Sequence, residues 1–143
     1  MSAAVTVATN LELGASDKVD EVFTALGTKA GSGGPDVLYE LLSTRGGSKA
    51  AVRATEMLRR KDVLEHSTPA LRIAVELREI ACKDKLSLLE RAKTDGDLRA
   101  VAVLDILRSD SCNPRVGQCC FRRNALVEET IHLIRARLRA AAP

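Results

Sequence analysis

Aromatic residues are scarce in this chain of 143 residues. It contains no tryptophan, and its only aromatic side chains are Phe23, Tyr39 and Phe121. A core built around large rings is therefore excluded, and leucine, valine, isoleucine and above all alanine must fill it. A chain of this length buries about 68–70% of its unfolded surface, which is enough for a self-sufficient core. Small side chains also allow helix axes to approach the short end of the usual spacing of about 8–10 Å.

Long apolar runs are also missing. No stretch approaches the ~20 apolar residues that a membrane-spanning helix needs. Residues 1–15 lack the basic start of a secretory signal, and Asn10 and Glu12 interrupt their weakly apolar pattern. We interpret 1–15 as a flexible leader or as the cut end of a longer protein, and we predict neither a signal peptide nor a membrane span in this chain.

Neither sign of charge dominates the sequence. There are 22 Lys and Arg residues against 19 Asp and Glu, for a net charge of +3. Nucleic-acid-binding domains usually carry a stronger and more clustered basic excess. We therefore favour another protein as the partner, rather than a nucleic acid.

The residues that are present form six or seven short amphipathic helical patterns, and no pattern between them is typical of a strand. Each begins at a capping residue, a proline or a turn, at Ser16, Pro35, Ser48, Thr68, Cys82, Asp97 and Asn124. The third pattern runs to Leu64, and the sixth predicts Leu98, Val101, Leu104 and Leu107 on its buried face.

Short connections favour antiparallel packing of successive helices. The sequence thus predicts one all-α domain over 16–143, made of antiparallel pairs. Two arrangements stay open: an α-solenoid of HEAT-like or TPR-like pairs, and an irregular bundle. No tetratricopeptide or ankyrin consensus is present.

Four cysteines are concentrated in the second half of the chain: Cys82, Cys112, Cys119 and Cys120. We expect the fifth and sixth helices to form an antiparallel hairpin, which would bring Cys82 at its start near Cys112 just past its end. The loop that carries Cys119 and Cys120 leaves from the same end, so all four thiols are expected to lie close together.

Three interpretations of the cysteines stay open. In the first they form disulfides: either Cys82 and Cys112 each bond one of the adjacent pair, or Cys82 and Cys112 bond each other. In the second they bind zinc through four thiolates, although the spacing lacks the paired knuckles of zinc ribbons. In the third they are reduced, partly buried thiols that act as small hydrophobic groups.

The stretch from Gly33 to Leu138 is similar to a known helical region. The matching positions are Gly46-Gly47, Ser67-Thr68-Pro69-Ala70-Leu71, Glu76-Leu77-Arg78, Cys82, Asp95-Gly96-Asp97, Cys112 and Cys119-Cys120-Phe121. In this it resembles the C-terminal helical region of some myxobacterial serine/threonine protein kinases, whose own role is not established. The resemblance implies a module that accompanies a signalling kinase. It places the module in the periplasm or another extracytoplasmic space if the kinase is membrane-bound, and in the cytoplasm otherwise.

Catalytic patterns are not evident. The chain lacks the Gly-rich loop, the His-Arg-Asp loop and the Asp-Phe-Gly of a kinase domain. Neither His66 nor His132 begins a metal-binding spacing, and no base is predicted near the cysteines. Asp105 falls between apolar turns of the sixth helix, where we expect a cap or a salt bridge. The sequence therefore predicts a protein that is not an enzyme and needs no cofactor.

We expect a protein-interaction, docking or sensor module that presents arginines on its helices. The candidate contact residues are Arg53, Arg59, Arg60, Arg135 and Arg139, although basic residues on helices are commonly only solvated. The alternative is a redox- or zinc-responsive switch, in which Cys82, Cys112, Cys119 and Cys120 change state. The oligomeric state is left open.

Overall fold

The computed structural model describes residues 16–143, so the predicted leader, 1–15, lies outside the described residues. These residues form eight α-helices: α1 (Ser16–Thr28), α2 (Gly33–Thr44), α3 (Lys49–Leu58), α4 (Lys61–His66), α5 (Pro69–Glu79), α6 (Leu89–Asp95), α7 (Leu98–Arg108) and α8 (Ala125–Ala141). Two 3-10 helices, Cys82–Leu88 and Pro114–Val116, are inserted among them. The described residues contain no strand, and the all-α prediction is confirmed.

Three predicted helix starts are built as the sequence suggests. The side chain of Ser48 accepts a hydrogen bond from the backbone N–H of Ala51 at 3.0 Å. Asp97 accepts one from Arg99 N at 2.9 Å, and Asn124 accepts from Leu126 N at 3.0 Å and from Val127 N at 3.1 Å in the first turn of α8. Each cap satisfies donors that have no partner within the helix.

The predicted third helix is two helices in the structure. The chain leaves the helical conformation at Arg60, whose backbone is extended, and α4 begins at the next residue. The guanidinium group of Arg60 bonds Asp62 through Nε at 3.0 Å and through Nη2 at 2.7 Å. This pairing across the start of α4 stabilises the break, which a continuous apolar pattern through Leu64 does not reveal.

The predicted fifth helix also differs, because its first half is the 3-10 helix Cys82–Leu88. The side chain of Lys85 turns inward there and bonds the end of α5. The tighter turn is stabilised by a bond from Asp84 N to Ala81 O at 2.9 Å. Only from Leu89 does the chain continue as the α-helix α6.

The first of two compact units ends at Thr68. Its helices α1 to α4 all pack on one another. The buried side chains that form its core include Val19, Phe23, Leu38, Tyr39, Leu41, Ala54, Leu58 and Val63. The approach of α2 to α1 is close at Gly34, where an added Cβ would overlap the carbonyl oxygen of Leu26.

The second compact unit runs from Pro69 to Pro143. Helices α6 and α7 each pack on both α5 and α8. Successive helices α6 and α7 make only slight contact with each other, so they are not the hairpin that the sequence analysis expects. The core of this unit includes Ile73, Leu77, Leu89, Ala100, Val101, Val103, Leu104, Leu107, Val127, Ile131 and Ile134.

The expected single domain over 16–143 thus contains two compact units. That the two units belong to one domain stays a prediction. The solenoid and the irregular bundle also stay open as alternative arrangements. Within the described residues, no helix combines the length and the apolar character needed to cross a bilayer.

Candidate functional site

The four cysteines form two disulfides at one end of the second unit. Cys82 is bonded to Cys119, with the Cα atoms 5.5 Å apart, and Cys112 is bonded to Cys120, with the Cα atoms 5.8 Å apart. This is the first of the two predicted disulfide patterns, and the direct bridge between Cys82 and Cys112 is wrong. The zinc and reduced-thiol interpretations stay predictions.

The cysteines meet because α5 and α7 end on the same side of the unit. The last residues of both helices line one pocket. Cys82 follows the end of α5 by three residues and begins the 3-10 helix. The loop after α7 is held by a hydrogen bond from Phe121 N to Leu107 O at 2.6 Å. The predicted gathering of the cysteines is therefore found, but it depends on α5 and α7 rather than on a hairpin of the fifth and sixth helices.

The pocket beside the disulfides has a volume of about 570 Å³. Its apolar lining comes from Leu77 of α5 and from Val103, Ile106 and Leu107 of α7. Cys112 and Cys119, one from each disulfide, form part of the same wall. Ile106 is 66% exposed, so the pocket presents an aliphatic side chain to solvent at its edge.

Lys85 lines this pocket and is one of the few buried polar residues in the described part of the chain. Its Nζ donates to the carbonyl oxygens of Leu77 and Arg78, the second at 3.3 Å. Burial lowers the pKa of Lys85; Glu79 opposes this by raising it, and Arg78 lowers it further. A cation is well placed here, because the last carbonyls of a helix lack intrahelical donors and carry partial negative charge.

The disulfide loop, which we define as residues 112–124, is basic. It contains Arg115, Arg122 and Arg123 and no Asp or Glu. All three arginines are exposed, and none forms an ion pair with another described residue. Several helical arginines of this unit differ: Arg91 pairs with Glu76, and Arg108 pairs with acids on both α7 and α8.

The arginines chosen from the sequence are divided between the two units. In the first unit, Arg53 pairs with Asp20, and Arg60 is held by Asp62, an arrangement that raises the pKa of Arg60. Arg59 is exposed at the end of α3.

In the second unit, Arg135 bonds Asp105 at 3.2 Å. Asp105 also pairs with Arg108 at 2.7 Å, which is the salt-bridge role expected for this carboxylate. Arg139 is exposed near the end of α8 and forms no ion pair with any described residue. The role of the five predicted arginines in partner binding stays a prediction.

Sequence reasoning missed the three arginines of the disulfide loop. The signal in the sequence is a stretch of thirteen residues with three arginines and no acidic residue. The sequence analysis interprets this stretch only through its cysteines. The two histidines are separated as well: His66 ends α4 in the first unit, and His132 is exposed on α8 in the second. No group of three or more His, Cys, Asp or Glu side chains within 16–143 is arranged to hold a metal ion.

Comparison with known proteins adds no relative. No protein-family model matches the chain, and neither the curated proteins nor the solved structures include a match to it.

Proposed function

We propose that this chain is a non-enzymatic protein-interaction module that docks a segment of another protein in the pocket at its disulfide end. The observation that carries the proposal is the apolar pocket between the ends of α5 and α7, with Ile106 exposed at its edge. Clusters of exposed apolar side chains on soluble proteins commonly mark interaction sites.

The composition of α7 supports this use. The helix is apolar on nearly all sides: Val101, Leu104 and Leu107 are buried in the core, while Ile106 and Leu98 remain 66% and 65% exposed. A helix that is apolar all round is normally buried. A partner docked at the pocket would bury Ile106 near the end of α7, whereas Leu98, at the start of the helix, does not line the pocket.

The disulfides support a preformed site. The bridge from Cys82 to Cys119 ties the disulfide loop to the segment after α5, and the bridge from Cys112 to Cys120 closes part of the loop on itself. Cys112 and Cys119 both lie in the pocket wall. A wall that is already ordered loses less conformational entropy when a ligand binds, which favours affinity.

The polar groups around the pocket support binding rather than catalysis. The amine of Lys85 is engaged by two backbone carbonyls, and the hydroxyls of Ser109 and Ser111 bond each other at 2.7 Å. No histidine is among the described residues that line the pocket. A nucleophile held close to a general base, the usual arrangement for acyl or proton transfer, is not formed by these groups.

The setting we propose is an oxidising, extracytoplasmic space, in which the module accompanies a signalling kinase. Two disulfides support the compartment, because such bonds persist mainly outside the reducing cytosol. The resemblance to the helical region of myxobacterial kinases supports the association with signalling.

Selection from a random-sequence peptide library tests the docking proposal. Peptides enriched on the full chain should bind at least about tenfold more weakly to Ile106→Ser, because an apolar contact at the pocket is lost. Leu98→Ser is the matched control, since Leu98 lies on the same helix with almost the same exposure, and it should retain binding. If no peptide is enriched, or if the two variants bind equally, the pocket is not a docking site.

A cysteine-based switch is the second candidate function, and the position of the disulfides favours it. Cys112 and Cys119 both line the pocket, and Cys82 is exposed, so its bridge is open to a dithiol reductant. Each reduced bridge would take two electrons and two protons and become two thiols, while the reductant forms its own disulfide. The four thiols could then offer thiolate ligands to zinc.

Peptide binding measured before and after dithiol reduction tests the switch, with free thiols counted in parallel. A reversible loss of binding that follows the thiol count supports it. Unchanged binding in the fully reduced chain would leave the disulfides a structural role only, and retention of zinc by that reduced chain in native mass spectrometry would support the metal-responsive form.

A further inference from the structure

We infer that the segment docked at the pocket is acidic and inserts one apolar side chain between α5 and α7. This inference rests on the proposed docking function and specifies its partner. The observation behind it is the juxtaposition of an apolar pocket with a basic loop whose arginines have no acidic partner in the described chain.

The arginines of the disulfide loop lie beside the pocket by chain connectivity. Gln118 and Cys119 line the pocket. Arg115 precedes Gln118 by three residues and Arg122 follows Cys119 by three, so each Cα lies within about 11 Å of a lining residue even for a fully extended chain. The bridge from Cys112 to Cys120 closes a short loop around Arg115, which keeps this arginine near the pocket.

The rest of the second unit shows why this charge is distinctive. Several of its acids pair with bases on its helices: Glu129 pairs with Lys93 at 3.0 Å, Asp97 with Arg99 at 2.7 Å, and Glu128 with Arg108. The loop contains no acid, and its three arginines reach none among the described residues. An acidic segment would supply the missing charge, and complementary charge speeds association and selects partners.

An acidic peptide fits this surface better than a nucleic acid. The pocket wall is mainly aliphatic, with Leu77, Val103 and Ile106, and Val116 of the loop is 68% exposed. Single-stranded nucleic acids are usually bound by exposed aromatic rings on which bases stack. Phe121, the aromatic residue of this loop, is instead packed against the core of the unit.

Three synthetic peptides of equal length test the inference by fluorescence polarisation: a central Leu flanked by Glu, the same Leu flanked by Lys, and an Ala in place of Leu between the Glu flanks. The peptide with Glu and Leu should bind at least about tenfold more tightly than either of the others at low ionic strength. Its advantage over the Lys peptide should shrink as salt is added, because salt screens exposed charges.

Charge-reversal variants locate the effect. Arg122→Glu should reduce the preference for the Glu peptide several-fold, and the double variant R115E/R122E should reduce it further. Arg139→Glu is the matched control, because Arg139 is also exposed without an ion pair in the described chain but lies at the far end of α8. It should leave the preference unchanged. All three variants should keep the wild-type helical signal and melting temperature.

The outcomes separate this inference from the docking proposal. If the Glu and Lys peptides bind equally well and Ile106→Ser still abolishes binding, the inference of an acidic partner is wrong and the docking proposal is supported. No binding of any peptide overturns both. Tighter binding of a single-stranded DNA probe than of the Glu peptide, with loss in R115E/R122E, would assign the loop to nucleic acid and overturn the inference.

Discussion

Lys85 donates a hydrogen bond from its amine to the backbone carbonyl oxygen of Arg78, with an Nζ–O distance of 3.3 Å. It also bonds the carbonyl of Leu77, so a single side chain satisfies two of the open acceptors at the end of α5. The same contact positions the 3-10 helix Cys82–Leu88 against α5, and with it Cys82. A helix cap therefore helps to build the wall of the candidate docking pocket.

Replacing this cap should destabilise the chain. Lys85→Met removes the amine, so the carbonyl oxygens of Leu77 and Arg78 lose a hydrogen-bond donor. This loss should lower the free energy of unfolding by about 1–3 kcal/mol at neutral pH. Urea unfolding followed by circular dichroism measures the change. Lys83→Met is the matched control, because Lys83 is exposed in the same 3-10 helix, and it should stay within about 0.5 kcal/mol of wild type. Equal effects of the two substitutions would contradict the capping role.

The buried amine also predicts a pH dependence of stability. Burial lowers the pKa of Lys85 in the folded chain below its ordinary value of 10.5. Between the two pKa values the unfolded chain binds more protons than the folded chain, so the free energy of unfolding contributed by this group rises with pH. The stability of wild type relative to Lys85→Met should therefore increase as pH approaches 10.5. A difference that stays constant or falls over this range would show that the pKa is not lowered.

The two disulfides should contribute unequally to stability. The bridge from Cys82 to Cys119 spans 37 residues and that from Cys112 to Cys120 spans 8. Loop-closure entropy then assigns about 4 kcal/mol to the first and about 2.5 kcal/mol to the second. Urea unfolding of C82S/C119S and C112S/C120S measures both losses, and a thiol count confirms that the remaining bridge is closed. A larger loss for C112S/C120S would mean that its main effect is on the folded state.

The contact between α1 and α2 predicts a sharp difference between neighbouring glycines. A Cβ at Gly34 would overlap the carbonyl oxygen of Leu26 and come within 2.9 Å of Ala30 Cβ, whereas one at Gly33 would meet nothing within 4 Å. Gly34→Ala should therefore cost at least about 1–3 kcal/mol, because backbone must shift. Gly33→Ala should change stability by about 0.5 kcal/mol or less. Thermal unfolding of both variants makes the comparison, and similar melting temperatures would show that α1 and α2 pack less closely.

Several features of the fold were predictable because their causes are local. Ser48, Asp97 and Asn124 cap helices through hydrogen bonds that reach only two or three residues along the chain. The buried faces of α2 and α8 follow the helical period, as the burial of Leu38, Leu41 and Ile131 shows. Such features depend on residues that are already neighbours in the sequence.

Other features were not predictable for a physical reason. In α7 the sequence analysis places Leu98 inward, yet Leu98 is 65% exposed while Val103 is buried. A helix that is apolar on nearly every side has no single face that its period can identify. The inward turn of Lys85 was equally hidden, because the carbonyls that it bonds belong to another helix.

For the candidate site, residue type and rough location were predictable, while the connections were not. Four cysteines and a basic stretch without acids can be read directly from the chain, and so can the helices on either side of them. Which cysteine bonds which, and which helix ends enclose a pocket, depended on α5 and α7 packing together across an intervening helix. Local hydrogen bonds and periodicity act over a few residues, whereas pairing of distant segments is selected by how the whole apolar surface can be buried at once.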